Sequence, residues 1–310
     1  MYDSFAYRTA SEIKEGIELT RTIRQYAWFF AFVAPALLVF LIFIVIPMLG
    51  GMSYSFTNWN GLARSYKFVG FVNYIEAFKD KEFIRSLMFS FKYVFLMVVL
   101  QNGIALLLAL LIESRKRAKG LFRTIFFMPN LISMIIGAFM WTFIFTKLLP
   151  ELAEQAAFSF LDQAWTSDPK VSFYSILIVS LWQGVGYMMI IYIAGLQGVP
   201  QDIKEAARID GANGWQMLRS VTLPMIMHTV TICLFLTLNS AFNSFDVIFG
   251  LTGGGPARKT EVVSLNIFQE AFNYNYRFGY ANAKAMILFL IILVITIVQV
   301  RVMKRREIEA

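Results

Sequence analysis

Six long apolar stretches decide what this sequence can fold into. They run roughly over residues 27–49, 87–112, 125–145, 173–196, 226–249 and 281–302. A hydrocarbon core about 30 Å thick takes about 20 helical residues to cross, so each stretch is long enough to span it. Lipid offers backbone amides no partner, which leaves helices or a closed barrel. Barrel strands would read as short alternating segments, and these runs do not alternate. The sequence therefore predicts an all-α, polytopic membrane protein with six transmembrane helices. Composition agrees. Of the 310 residues, 58% are hydrophobic and only 15% charged, where a soluble domain carries about a quarter charged residues.

The first run starts after residue 26 and exceeds a signal-peptide core of roughly 7–15 residues, so it reads as a retained span. Basic residues set the orientation. Arg8, Lys14, Arg21 and Arg24 precede the first run. Arg115, Lys116, Arg117, Lys119 and Arg123 fill the short loop between the second and third. Arg301, Lys304, Arg305 and Arg306 close the chain, whereas the longer segment between the third and fourth runs holds only Lys147 and Lys170. Lys and Arg collect on the cytoplasmic side, so both termini are expected there. Arg64, Lys67, Lys79, Lys81 and Arg85 fit less well, but they lie in a long loop that also carries acids, and long loops constrain topology weakly. The net charge of +8 follows from this bias and calls for no nucleic-acid partner. The expected division is a cytoplasmic segment over 1–26 and one membrane domain over 27–310.

Between the fourth and fifth runs lies a polar loop, about 197–224. Pro200 suits a helix approach. Asp202 is placed to cap a first helix, with Glu205 three residues later as its capping-box partner. Gly211 ends that helix, Asn213 can cap a second one starting near Trp215, and Pro224 closes the loop. A helix–turn–helix for DNA is excluded, because spans tether both ends and basic residues are few. The adjacent alanines Ala206 and Ala207, with Gly211 and Ala212, leave a face of small residues that another protein could approach closely.

Glu205-Ala206-Ala207, then Gly211 after three residues, then Val221, Leu223 and Pro224, resembles the cytoplasmic loop of binding-protein-dependent ABC importer permeases. Asp210-Gly211-Ala212 is similar to the carbohydrate branch of that family. Ser55-Phe56-Thr57, Phe68-Val69-Gly70, Asn73-Tyr74, Phe245-Asp246, Leu251-Thr252-Gly253-Gly254-Gly255-Pro256 and Thr260 extend the likeness over most of the chain. The chain resembles the compact six-span members rather than the larger maltose permease subunit with its extra N-terminal spans and outer domain.

The resemblance implies a type I ABC importer permease fold in a prokaryotic-type inner or plasma membrane. It implies a second permease chain, two ATPase chains that bind ATP and Mg, and an extracytoplasmic solute-binding protein that delivers a sugar or oligosaccharide. This chain would bind no cofactor and catalyse nothing. Glu205, Ala206, Ala207, Asp210, Gly211, Ala212, Leu223 and Pro224 would couple it to the ATPase. Glycerol phosphate or another polyol-like solute is the alternative cargo. No Arg or Lys lies in a span away from its ends, which favours a neutral sugar.

Polar residues inside spans are costly and tend to be functional. An ionised Asp at mid-membrane costs about 2.5–3.5 kcal/mol on insertion scales. In the fifth run Asn239, Asn243 and Asp246 are spaced to share one helical face, flanked by Phe242 and Phe245. Amides and a carboxylate can bond vicinal hydroxyls while rings stack on a sugar's apolar face. The alternative is bonding between helices. Gln183 and Tyr187 share a face of the fourth run beside Trp182, and Gly184, Gly186 and Gly195 there point equally to close packing. Lys92 and Lys284 fall near span ends, where a lysine can snorkel to headgroups.

Other chemistries lack their residues. Gly253 to Thr260 is glycine-rich and ends in Lys-Thr, but Ala257-Arg258 stand where a phosphate loop needs Gly before the Lys. It reads instead as a turn at the outer mouth of the pathway. The single His228 and single Cys233 make neither a metal site nor a nucleophile–base pair, which weighs against a membrane-embedded hydrolase. An ion-coupled transporter would want several buried carboxylates.

Overall fold

The computed structural model describes residues 24, 26, 28–115, 117–156, 159–274 and 276–305. Most of the basic N-terminal segment, and Arg306, lie outside these. The chain divides into two units, residues 1–54 and 55–310. In the first, Trp28–Tyr54 form helix α1, with a π-helical turn at Leu41–Val45. Pro47 follows that turn, and a proline has no amide to give the preceding turn.

The second unit holds the core. A short helix α2, Val72–Lys79, leads into α3, Lys81–Ser114. The Asp80 carboxylate caps α3 by accepting the Glu82 and Phe83 amides at 2.9 and 3.2 Å. Helix α4, Lys119–Phe127, runs into a 3-10 turn at Met128–Leu131, and α5 covers Met134–Gln155. Helix α6, Pro169–Gln197, is capped by Asp168, which accepts the Lys170 and Val171 amides. Then follow α7, Gln201–Ile209, α8, Gly214–Met225, and α9, Met227–Phe242. Helices α10, Asp246–Thr252, α11, Val263–Phe268, and α12, Phe278–Lys304, complete it. Among the described residues there is no strand, only an isolated bridge between Thr57 and Phe68.

Two expected spans are broken. The stretch 125–145 is interrupted where Pro129 sits in the 3-10 turn and Ile132 is extended, so the long helix starts at Met134. The stretch 226–249 is broken twice. Helices α8 and α9 meet at 75° around Ile226, just after Pro224 withdraws its amide, and α9 ends at Phe242. Helices α1, α3, α5, α6 and α12 are each long and apolar enough to cross a membrane, and α8 with α9 makes a sixth if that bent pair is one span.

Helices α3 and α6 run side by side in the same direction. The Tyr93 hydroxyl donates to Ser180 Oγ at 2.9 Å near their starts, and the Tyr192 hydroxyl donates to Asn102 Oδ1 at 3.0 Å further along. Asn102 also donates to Thr237 Oγ1 at 3.1 Å, which draws in α9. Lipid gives helices no hydrophobic drive to associate, so small residues that allow close packing and interhelical hydrogen bonds hold such bundles. Ala105, Ala109 and Ala138 are fully buried, and a Cβ at Gly186 would fall on the Phe126 carbonyl oxygen. Where α3 and α6 end, Glu113 accepts Lys119 at 2.9 Å, Arg123, and Gln197 at 3.2 Å. These bonds fix α4 across the loop end of the bundle, where α7 and α8 also lie.

Candidate functional site

Helix α9 stops because Asn243 takes its C-cap, and the chain turns through Ser244 and Phe245 before α10 starts at Asp246. The Asn243 side-chain amide donates to the Asn239 carbonyl at 2.9 Å and to its Oδ1 at 3.1 Å. Both asparagines line an open cleft of about 510 Å³. Ser264 and Ile267 of α11 form one wall, Thr296 and Phe289 of α12 another, and Phe235 of α9 completes the apolar part. Amides and hydroxyls set among rings and aliphatic chains suit a hydroxyl-bearing solute with an apolar face.

The break corrects the expectation of one polar face. Asp246 belongs to the next helix and is exposed, but it does not line this cleft. Phe242 is buried, edge-on to Phe91 with ring centroids 5.5 Å apart, rather than flanking the asparagines. Gln183 is buried and donates to the Ile132 carbonyl at 2.6 Å, which ties α6 to the segment before α5. Tyr187 is exposed on α6, and neither residue lines the cleft. Ser264 and Thr296 escaped the sequence reading. For Ser264 the available signal was Asn266, Gln269, Glu270 and Asn273 at helical spacing, which marks 263–274 as an amphipathic helix rather than a linker.

At the loop end, α7 has Pro200 at its N-cap with no side-chain cap. Asp202 is therefore not the cap. It stands in the first turn, where a negative charge favours the helix dipole, and Glu205 accepts from Gln201 Nε2 at 3.0 Å instead of closing a capping box. The glycine turn matches expectation. Gly211 has φ +81°, the Ala212 amide reaches back to the Ala207 carbonyl at 3.0 Å and the Gly211 amide to the Arg208 carbonyl at 3.1 Å. This is a Schellman ending. Asn213 and Gln216 form a reciprocal capping box, each accepting the other's amide at 2.9 Å. Lys204 donates to the Leu196 carbonyl at 3.3 Å, anchoring α7 to the end of α6. Leu223 and Pro224 end α8 at the bend. The loop is thus rigid by its own bonds, yet Ile209 is 86% and Trp215 67% exposed, and Ile203 is exposed too.

At the opposite end the structure overturns the reading of Lys284 as a snorkelling residue. Its side chain is fully buried, with Nζ 2.9 Å from Asp80 Oδ2 and 3.1 Å from Glu270 Oε2. It donates to Asn266 Oδ1 at 3.0 Å and lies 4.4 Å from the Tyr280 ring centroid. Tyr280 donates its hydroxyl to Asp80 at 3.0 Å, and Arg277 bonds Glu76 at 2.6 Å. Burial alone would raise the Asp80 carboxyl. The hydrogen bond and charge of Lys284, with the Phe83 amide and the Tyr280 hydroxyl, hold it below the ordinary carboxylate range. Lys92, by contrast, is exposed and sits over the Phe173 ring. The glycine-rich turn has positive φ at Gly253, Gly254 and Gly255 and runs into a 3-10 turn at Pro256–Arg258, not into the helix that a phosphate loop requires.

The family model of the binding-protein-dependent transport system inner membrane component matches residues 101–308. This chain belongs to that family. The permease is 39% identical over 246 residues to the probable starch degradation products transport system permease protein AmyD of Thermoanaerobacterium thermosulfurigenes, covering 79% of this chain and 84% of that one. It is 32% identical over 254 residues to the multiple sugar-binding transport system permease protein MsmF of Streptococcus mutans, covering 82% and 87%. Its fold matches a chain in the crystal structure of a bacterial ABC transporter that imports the acidic polysaccharide alginate. The TM-score there is 0.79 at 23% identity, over 93% of this chain and 99% of that one. The permease therefore has the importer-permease fold that its sequence predicts, with two of the six expected spans broken.

Proposed function

We propose that this chain is the permease subunit of an ATP-driven importer of a neutral sugar or oligosaccharide, with the cleft at Asn239 and Asn243 on its translocation pathway. It works with a second permease chain, two ATPase chains that bind ATP and Mg and do all the hydrolysis, and an extracytoplasmic sugar-binding protein. Both termini and the α7–α8 loop face the cytoplasm of a prokaryotic inner or plasma membrane. The chain itself carries no cofactor and no catalytic residue.

The observation that carries this reading is the α7–α8 loop. A rigid helix–glycine turn–helix leaves Ile203, Ile209 and Trp215 in solvent, and exposed apolar side chains on an ordered surface mark a docking face. Glu205, Ala206, Ala207, Asp210, Gly211 and Ala212 form and flank that face, and Leu223-Pro224 carries its movement into α9 at the bend. The names of AmyD and MsmF, and an uncharged cleft that sets two amides and two hydroxyls in a mostly apolar lining, support sugar as the cargo.

Crosslinking tests the docking. A cysteine placed by Ala207→Cys or Ala212→Cys, with Cys233→Ala as background, is expected to crosslink to an ATPase chain in the assembled complex. Modification of the same cysteines from outside intact cells would refute the topology. In the cleft, Asn239→Ala and Asn243→Ala each remove hydrogen-bonding capacity worth about 1 kcal/mol or somewhat more. Uptake is expected to fall roughly tenfold while four-chain assembly and basal ATPase activity persist. Asp246→Asn, outside the lining, should have the smaller effect. Loss of uptake only in proportion to lost complex would instead make the asparagines structural.

A further inference from the structure

A lysine with no exposed surface, inside a membrane bundle and outside the cleft, calls for a reason. Burying an ammonium is tolerated only with good pairing, and Lys284 has Asp80, Glu270 and Asn266 within 2.9–3.1 Å. Two of these three partners stand on the segment 263–274. Asn266 is on α11 and Glu270 on the π-helical turn, Gln269–Tyr274, that continues it. That same segment supplies Ser264 and Ile267 to the cleft wall. Asn266 lies between those two in sequence, so the helix presents one face to Lys284 and another to the cleft. Apolar packing also holds α11, with Val263 and Leu265 fully buried and the Phe268 ring edge-on to Phe245 at 5.2 Å, but it leaves few other polar bonds to fix the helix's rotation. The Val263 amide donates to Ser90 Oγ at 3.0 Å, and Ser264 Oγ donates to the Ser244 carbonyl at 2.9 Å, at the break after Asn243. The third partner, Asp80, is the N-cap of α3. One ammonium thus joins α12, the start of α3 and the cleft-lining helix.

We propose that Lys284 is a positioning residue for the cleft. It does not touch the solute. It sets the rotation and depth of α11 so that Ser264 and Ile267 stand opposite Asn239 and Asn243. The link to transport rests on the reading of that cleft as the pathway; the positioning itself does not.

The test uses the assembled complex in proteoliposomes, with Cys233→Ala as background and a hydrophilic charged maleimide as probe. A cysteine is introduced by Ser264→Cys on the cleft wall, or by Ser240→Cys on α9, an exposed position that Lys284 does not contact. Lys284→Met is expected to speed modification at position 264 about tenfold and to leave position 240 within about twofold. Where Lys284→Met fails to assemble, Glu270→Gln, which keeps shape and hydrogen-bonding capacity, should give a smaller change of the same sign. Unchanged reactivity at 264 in an assembled variant would overturn the proposal. So would an equal rise at both positions, which is what general loosening gives. Uptake of labelled maltotriose, a starch fragment, separates the two readings. Faster modification at 264 with unchanged half-saturation for the sugar leaves the positioning role standing and sinks the pathway assignment.

Discussion

Gly211→Val is expected to cut ATP-driven uptake tenfold or more while the permease still inserts and folds. Gly211 holds φ +81° with open space around it, so the obstacle is the backbone, not crowding. A β-branched residue in that region costs on the order of 1–3 kcal/mol. The turn is exposed and has open space around it, so the strain will be relieved locally. The Ala212-to-Ala207 bond opens, and α7 no longer stands at a fixed angle to α8. Each 1.4 kcal/mol lost from docking is a factor of ten in occupancy. Co-purification with the ATPase chains, or crosslinking from position 207, should fall in step with uptake. Normal association and normal uptake would mean that the turn does not set the docking geometry. Gly211→Asn, which tolerates positive φ better, should recover part of the loss.

Gly186→Ala is expected to damage the fold itself. The added methyl would coincide with the Phe126 carbonyl oxygen and crowd the Phe127 Cα at 2.9 Å. These are backbone atoms, which no rotamer change can move aside. Helices α4 and α6 must separate, at about 1–3 kcal/mol or more for overpacking, and the Gln183 bond to Ile132, one turn away, loosens with them. Detergent-solubilised permease should show a lower melting temperature and a poorer yield of complex. Gly103→Ala on α3 is the control. Nothing lies within 4 Å of the added Cβ there, so it should be neutral or slightly stabilising. Equal behaviour of the two variants would show that close helix approach at Gly186 is not needed.

The fold was legible where its physics is local. Apolar runs longer than the bilayer is thick gave the long helices, and the basic residues beside them gave an orientation to test. The glycine turn at Gly211 and the cap at Asn213 were readable because the residues that build them lie within a few positions of each other, whereas the capping box expected at Asp202 and Glu205 formed at Asn213 and Gln216 instead. The breaks were harder. Met128–Ile132 and Asn243–Phe245 are only a few residues long, and the apolar residues on either side carry a span-length run straight across them. Only Pro129 hinted at the first break, and at the second an asparagine that looked like a face residue is a helix end. The cleft was half legible. Asn239 and Asn243 stood out as costly polar groups in a span, but Ser264 and Thr296 come from segments joined to them only by tertiary packing. Lys284 was misread for the same reason. A lysine near a span end is usually free to reach headgroups, and nothing in its neighbourhood of sequence shows that Asp80, about 200 positions earlier, lies beside it.

Reconstitution separates ATP-driven import from the other ways a sugar could cross with this permease. The permease is placed in proteoliposomes with its second permease chain and ATPase chains. Uptake of labelled maltotriose, and of a panel of other sugars, is then followed with the binding protein present or absent and with ATP or a non-hydrolysable analogue. At least one sugar is expected to accumulate in a manner that needs both hydrolysable ATP and the binding protein, and that Gly211→Val abolishes. Accumulation driven by an ion gradient without ATP, or by this permease chain alone, would contradict ATP-driven import.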